Sequence, residues 1–203
     1  MKIARKISTV CICIAMLFLI LNAATLAREE KKTEALANTF LRLHVRASSD
    51  SPEDQALKLK VRDRVLSYTS ALLDGATDKE DAKKRLAPHL GELEALCRTV
   101  TTDAGMPCDV SVSLCRERFD YREYDGFFLP EGDYDALIVT LGEGKGHNWW
   151  CVVFPAVCLS GATGEIRTNT EKVPERFRLS DTAVSDDVRY DLWIVRVIRS
   201  WFR

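Results

Sequence analysis

Hydrophobic and polar residues follow three successive periods along this chain, and each predicts an element. From Thr39 to Ala47 the period is two: Leu41, Leu43 and Val45 share one face, and Arg42, His44 and Arg46 share the other. This pattern predicts a half-exposed strand, with His44 solvated on its polar side. The period then becomes helical. Ser51 suits an N-cap, Pro52 the first helical position, and Asp54 the far side of a capping box. Leu57, Val61, Val65, Tyr68 and Leu72 form one stripe, stopped at Gly75. Thr77 and Glu80 suggest a second capping box. Ala82, Leu86, Leu90, Leu93, Cys97 and Val100 continue the helical period toward Gly105, with Pro88 kinking or dividing it. Cys97 lies on that stripe and reads as a reduced core cysteine.

Period two returns from Cys108 to Phe119, with Val110, Val112 and Leu114 inward. Residues 120–133, with Pro130 and Gly132, read as a turn before a strand from Asp135 to Leu141. His147 to Val157 is apolar on both faces, the mark of a central strand covered on both sides. Residues 160–186 are polar and read as a surface excursion, with a hairpin around Ala162-Thr163-Gly164. Residues 187–203 close the chain as a helix with Val188, Leu192, Val195 and Phe202 on its buried side. The order β–α–α–β–β–β–α predicts an α/β fold of the α+β type. Residues 38–203 should form a single compact domain, a mixed or antiparallel sheet packed with helices.

The N-terminus changes the picture. Lys2, Arg5 and Lys6 are followed by no charge until Arg28, and small residues gather at Ala23, Ala24, Thr25 and Ala27. A basic start, an apolar run and the small-x-small site Thr25-Leu26-Ala27 predict a signal peptide over residues 1–27. The charge-free run from 7 to 27 is also long enough for an uncleaved anchor, since about 20 apolar residues span a bilayer. Either way the N-terminal segment enters the membrane, at least during export. Residues 28–37 are charged, lack a strong apolar face, and read as a linker.

Charge and cysteines then bound the function. Without residues 1–27 the chain has 26 basic and 30 acidic side chains, a net charge of −4, with no bias toward nucleic acid. Five cysteines remain: Cys97, Cys108, Cys115, Cys151 and Cys158. An odd number outside the cytoplasm leaves at least one thiol free or intermolecular. His44, His89 and His147 are scattered and no CxxC pair exists, so no metal site is expected. On a straight strand Cys151 and Cys158 would lie roughly 23 Å apart. A bridge needs Cα atoms within about 7 Å, so that pair closes only if the chain reverses near Pro155.

Candidate chemistry concentrates between Leu129 and Cys158. Gly142-Glu143-Gly144-Lys145-Gly146 lacks the spacing and the following Ser or Thr of a P-loop, and a strand rather than a helix follows it. It reads as a hairpin tip. His147 and Cys151, four apart on a strand, would lie roughly 13 Å from each other, too far for a thiolate–imidazolium pair. Glu131, Asp133 and Asp135 cluster before a strand; a secreted wall-acting hydrolase using Glu131, Asp133 or Glu143 is one alternative, and a structural envelope protein held by an uncleaved N-terminal anchor is another. Trp149 and Trp150 must point to opposite faces. Val152 and Phe154 continue the face of Trp150, which marks it as core and Trp149 as the contact candidate.

Three segments carry a family resemblance. Leu41-Arg42-Leu43-His44-Val45 followed by Ser49-Asp50-Ser51-Pro52-Glu53-Asp54-Gln55-Ala56-Leu57-Lys58 is the first. Leu129-Pro130-Glu131-Gly132-Asp133-Tyr134-Asp135-Ala136-Leu137 is the second, and Gly142 to Cys158, with Gly-His-Asn-Trp-Trp-Cys at its centre, is the third. Together they resemble the stage II sporulation protein R family. The resemblance implies a secreted, non-enzymatic signal passed from forespore to mother cell, acting between their two membranes. Its implied partner is a membrane-embedded aspartic peptidase, stage II sporulation protein GA, engaged at its extracytoplasmic face to process the pro-form of sigma factor E. No cofactor is implied. The resemblance takes in Cys151 and Cys158 together, which favours them as a disulfide pair. The exposed tip, with Lys145, His147, Asn148 and Trp149, is the expected partner contact.

Overall fold

The computed structural model describes residues 2–124, 127–160 and 166–168. An N-terminal helix α1 (Lys2–Thr39) leads into strand β1 (Leu41–Arg46), then helices α2 (Pro52–Leu72), α3 (Lys79–Leu86) and α4 (Leu90–Asp103). Strands β2 (Val110–Phe119), β3 (Arg122–Tyr124), β4 (Phe127–Leu129), β5 (Gly132–Leu141) and β6 (Asn148–Phe154) follow, and β7 (Cys158–Ser160) pairs with β8 (Ile166–Thr168). The main sheet is mixed, in the order β2-β5-β1-β6, with β1 parallel to β5 and the other pairs antiparallel. Helices α2 and α4 pack against one side of it. The mixed α/β class is therefore as the periodicity indicated.

Local signals place the helices. The Ser51 hydroxyl accepts from the Asp54 amide, and Pro52 sits in the first turn of α2. Pro88 divides the next helical stretch, as a 3-10 turn (Ala87–His89) between α3 and α4. The cap of α3 is shifted by one residue from the expected Thr77–Glu80 pair. Asp78 accepts from the Asp81 amide at 2.8 Å, and the Asp81 carboxylate accepts from the Thr77 amide at 3.0 Å. An aspartate caps at least as well as threonine, and its neighbour took the role.

Four expectations change. Residues 28–37, read as a linker, continue α1, and Leu36 and Ala37 are buried in the core. Residues 120–133 hold the small β3–β4 hairpin rather than a plain turn. β6, expected at the centre of the sheet, is an edge strand among the described strands, although both its faces are covered. Most sharply, β5 and β6 do not form a hairpin: β1 lies between them, pairing with both. β1 is thus central rather than half-exposed, and Arg42 and His44 are buried with it. Cys97 is buried with a free thiol, which burial pushes up to about 12. The closing helix 187–203 and the excursion beyond Thr168 lie outside the described residues.

Candidate functional site

With β1 between β5 and β6, two loops meet at one end of the sheet. The chain leaving β1 (47–51) and the chain joining β5 to β6 (142–147) must cross there, and backbone bonds lock them. The Gly146 amide donates to Ala47 O at 2.9 Å and the Lys145 amide to Ser48 O at 3.2 Å. The contact is too close for side chains. A Cβ on Gly146 would lie 2.1 Å from Ser49 O, and one on Gly142, whose φ is +54°, would lie 2.4 Å from Ser48 Oγ. The first and third signature segments, about a hundred residues apart in sequence, are two halves of one clasp.

Polar side chains complete it. Asp50 accepts from the His147 amide at 2.5 Å and pairs with His147 Nδ1 at 2.6 Å. Those bonds, the backbone one first, hold the Asp50 carboxyl below its ordinary range. On the α2 side, Lys58 Nζ donates to His147 O at 2.9 Å and to Gln55 Oε1 at 2.5 Å, and Gln55 Nε2 donates to Ser49 O at 2.9 Å. Burial, the largest influence, and the neighbouring Arg62 lower the Lys58 ammonium. The backbone of this loop is therefore fixed while its outer side chains stay in water. His147 is 83% exposed, and Lys145, paired with Glu143 at 2.7 Å, is 76% exposed. Asn148 is also exposed.

The two tryptophans point to opposite faces, as alternation requires. Trp149 lies on the helical side, half-buried under the Arg62 guanidinium at 4.2 Å from its ring centre. Trp150 stacks on His44 at 3.7 Å and meets Phe119 edge-on at 4.9 Å. Both rings pack against the core, so Trp149 sits at the edge of the exposed rim rather than standing free of it. His44 is thus buried rather than solvated. Burial lowers its pKa, more than its 2.8 Å contact with Glu117 raises it. Glu117 also pairs with Arg46.

The remaining candidates lie apart from the clasp. Cys151 is buried beside Leu43, away from the exposed His147. Glu131 is exposed and pairs with Arg118 at 3.0 Å, and Asp133 is exposed on β5. Asp135 is instead structural: Lys79 and Lys83 bind it at 2.5 and 3.3 Å, and they lower its pKa against the opposing effect of burial. Among the described residues no three His, Cys, Asp or Glu side chains gather to hold a metal ion. The clasp itself was hidden from sequence reasoning, although the glycine density of the 142–146 loop was a sign that another chain passes close by.

Fold and site define a mixed α/β domain with a rigid, polar loop rim at one end of its sheet. Residues 37–164, which include the whole main sheet and both loops, match the family model of stage II sporulation protein R. The chain is 36% identical over 166 residues to stage II sporulation protein R of Bacillus subtilis (strain 168), covering 77% of this chain and 74% of that relative. No solved structure matches it. The chain belongs to the stage II sporulation protein R family.

Proposed function

We propose that this sporulation protein is an exported, non-enzymatic ligand. On this reading it crosses the forespore membrane, and its clasp rim engages the extracytoplasmic face of the membrane aspartic peptidase, stage II sporulation protein GA. That engagement triggers processing of the pro-form of sigma factor E. The carrying observation is family membership over the residues that build the clasp. The rim supports it physically: a pre-ordered loop with exposed Lys145, His147 and Asn148, edged by the half-buried Trp149, loses little entropy on docking. Export is supported by the first part of α1, where Ile12, Ile14 and the run from Met16 to Leu21 expose apolar side chains that suit lipid or a translocation channel better than water. Among the described residues no helix is long and apolar enough to cross a membrane.

In an oxidising compartment Cys151 and Cys158 pair on this reading. Among the described residues Cys97, Cys108 and Cys115 carry free thiols, and Cys151 is not among them. β6 ends at Phe154 and β7 begins at Cys158, so the strand is interrupted at Pro155 between the two cysteines, which is compatible with the pairing. Mass mapping of the unreduced secreted protein tests the pair, and free thiols at both positions would end it. The function is tested by co-expressing this protein with the peptidase and the pro-sigma factor in a non-sporulating host. Processing should appear and should be lost on double substitution of Lys145 and His147 by alanine in a folded protein. Absence of processing with all three proteins present would refute it.

A further inference from the structure

The main sheet ends on one side in β2, and the direction of that strand's backbone groups can be read from its pairing. β2 pairs with β5 in unbroken register from Val110↔Leu141 to Phe119↔Gly132. One step before that register begins, the Gly142 amide donates to Asp109 O at 2.8 Å. Asp109 and Gly142 are therefore a hydrogen-bonded pair, and such pairs alternate with non-hydrogen-bonded ones along an antiparallel ladder. The odd residues of β2 thus turn their N–H and C=O toward β5. Val112, Leu114, Arg116 and Arg118 turn theirs outward. Arg98 of α4 caps the outward Val110 carbonyl at 2.8 Å. Among the described residues no hydrogen bond reaches the outward groups of the next four.

An open edge is ordinarily blocked by charge, proline or a bulge. Val110 to Cys115 (Val-Ser-Val-Ser-Leu-Cys) has none of these. Such a short, uncharged, strand-prone segment pairs readily with another strand. Ser111, Ser113 and Cys115 are exposed along it. Cys115 is also the exposed one among the described free thiols.

We infer that this edge is an interaction surface for a second copy of the chain, with β2 pairing antiparallel to its own copy about a two-fold axis at Cys115. Like faces stay together only in registers centred on a residue. Centring on Ser113 would set Asp109 against Glu117 of the copy, and centring on Glu117 would set Arg116 against Arg118. Centring on Cys115 opposes Leu114 to Arg116, Ser113 to Glu117 and Val112 to Arg118. No like charges then meet, and arginine stems cover the apolar side chains. The seam ends at Ser111 opposite Phe119, one residue short of the carbonyl that Arg98 caps. The two Cys115 residues form a non-hydrogen-bonded pair with Cα atoms about 4.5 Å apart, inside the disulfide range of about 4.4–6.8 Å. The clasp rim, on the β1–β6 side of the sheet, stays uncovered in both copies.

The test combines sedimentation with residue-resolved amide exchange on the full exported chain, in reducing buffer and with oxidised glutathione. Oxidised glutathione should give a dimer linked through Cys115, identified by peptide mapping. In that step two Cys115 thiols pass two electrons and two protons to glutathione disulfide, which leaves as two thiols. The amides of Val112, Leu114, Arg116 and Arg118 should exchange at least about tenfold more slowly in the dimer than in the monomer. Those of Ser113 and Cys115 should be slow in both. Cys115→Lys changes an exposed side chain, sets two ammonium groups face to face, and should stay monomeric with the outward amides fast. Three results would overturn the inference: a wild-type protein monomeric in both buffers, a linked dimer whose outward amides exchange freely, or slow outward amides in a monomer.

Discussion

The crossing of the two loops can be tested with one methyl group. Gly146→Ala places a Cβ 2.1 Å from Ser49 O and 2.4 Å from Ser49 C. Both are backbone atoms that cannot swing aside, and ordinary carbon contacts are about 3.5 Å or more. The loops must therefore part by more than about 1 Å. That breaks the Gly146–Ala47 bond, lengthens the already long Lys145–Ser48 bond, and pulls on the Asp50 and Lys58 contacts to His147. Two neutral hydrogen bonds at about 1 kcal/mol each, plus one charge-assisted bond at about 1.5–3, give a loss of about 3–5 kcal/mol. For a domain this size the thermal midpoint should fall by about 10 °C. Urea titration measures the loss directly, and an unchanged slope would show that the unfolded state is unaltered. Gly91→Ala is the control. It lies in the first turn of α4, where an added Cβ meets nothing within 4 Å, so it should be neutral or stabilising by up to about 1 kcal/mol. A Gly146→Ala protein within about 1 kcal/mol of wild type would refute the clasp.

Three further outcomes follow from the same geometry. Because burial lowers His44 from its ordinary 6.5, the unfolded chain binds the proton first as pH falls. The stability His44 contributes is therefore present above pH 6.5 and lost below it, with a slope of at most about 1.4 kcal/mol per pH unit. His44→Gln should remove that slope in urea titrations at stepped pH. Lys79→Met leaves Asp135 with Lys83 alone and should cost about 3 kcal/mol by the same assay, while Lys83→Met should cost under about 1. Trp150→Ala strips His44 and Phe119 of their packing and should cost about 3–5 kcal/mol. Trp149→Ala should cost less in stability but reduce sigma-factor processing, and loss of folding in both variants with no separate loss of processing would make both rings core alone.

Much of this protein is determined locally and so is legible in sequence. The helices follow from Ser51, Pro52 and Pro88, whose capping and backbone effects act within a turn. The core face of β1 follows from Leu41, Leu43 and Val45, and the opposed tryptophans follow from strand alternation. The family resemblance rested on contiguous segments, and it led to the right family. Strand order is different. Whether β5 pairs with β6 or admits β1 between them depends on which faces find partners across nearly a hundred residues, and periodicity is silent on that. The consequences fall on the polar residues. Arg42, His44 and Arg46 spell a solvated face when β1 is read alone, yet the aromatic rings of Phe119 and Trp150 cover Arg42 and His44 and leave only Arg46 half-exposed. The glycines of the 142–146 loop look like flexibility in one dimension. In three dimensions Gly142 and Gly146 are the space through which Ser48 and Ser49 pass, because a Cβ at either position would fall inside van der Waals contact of the crossing chain.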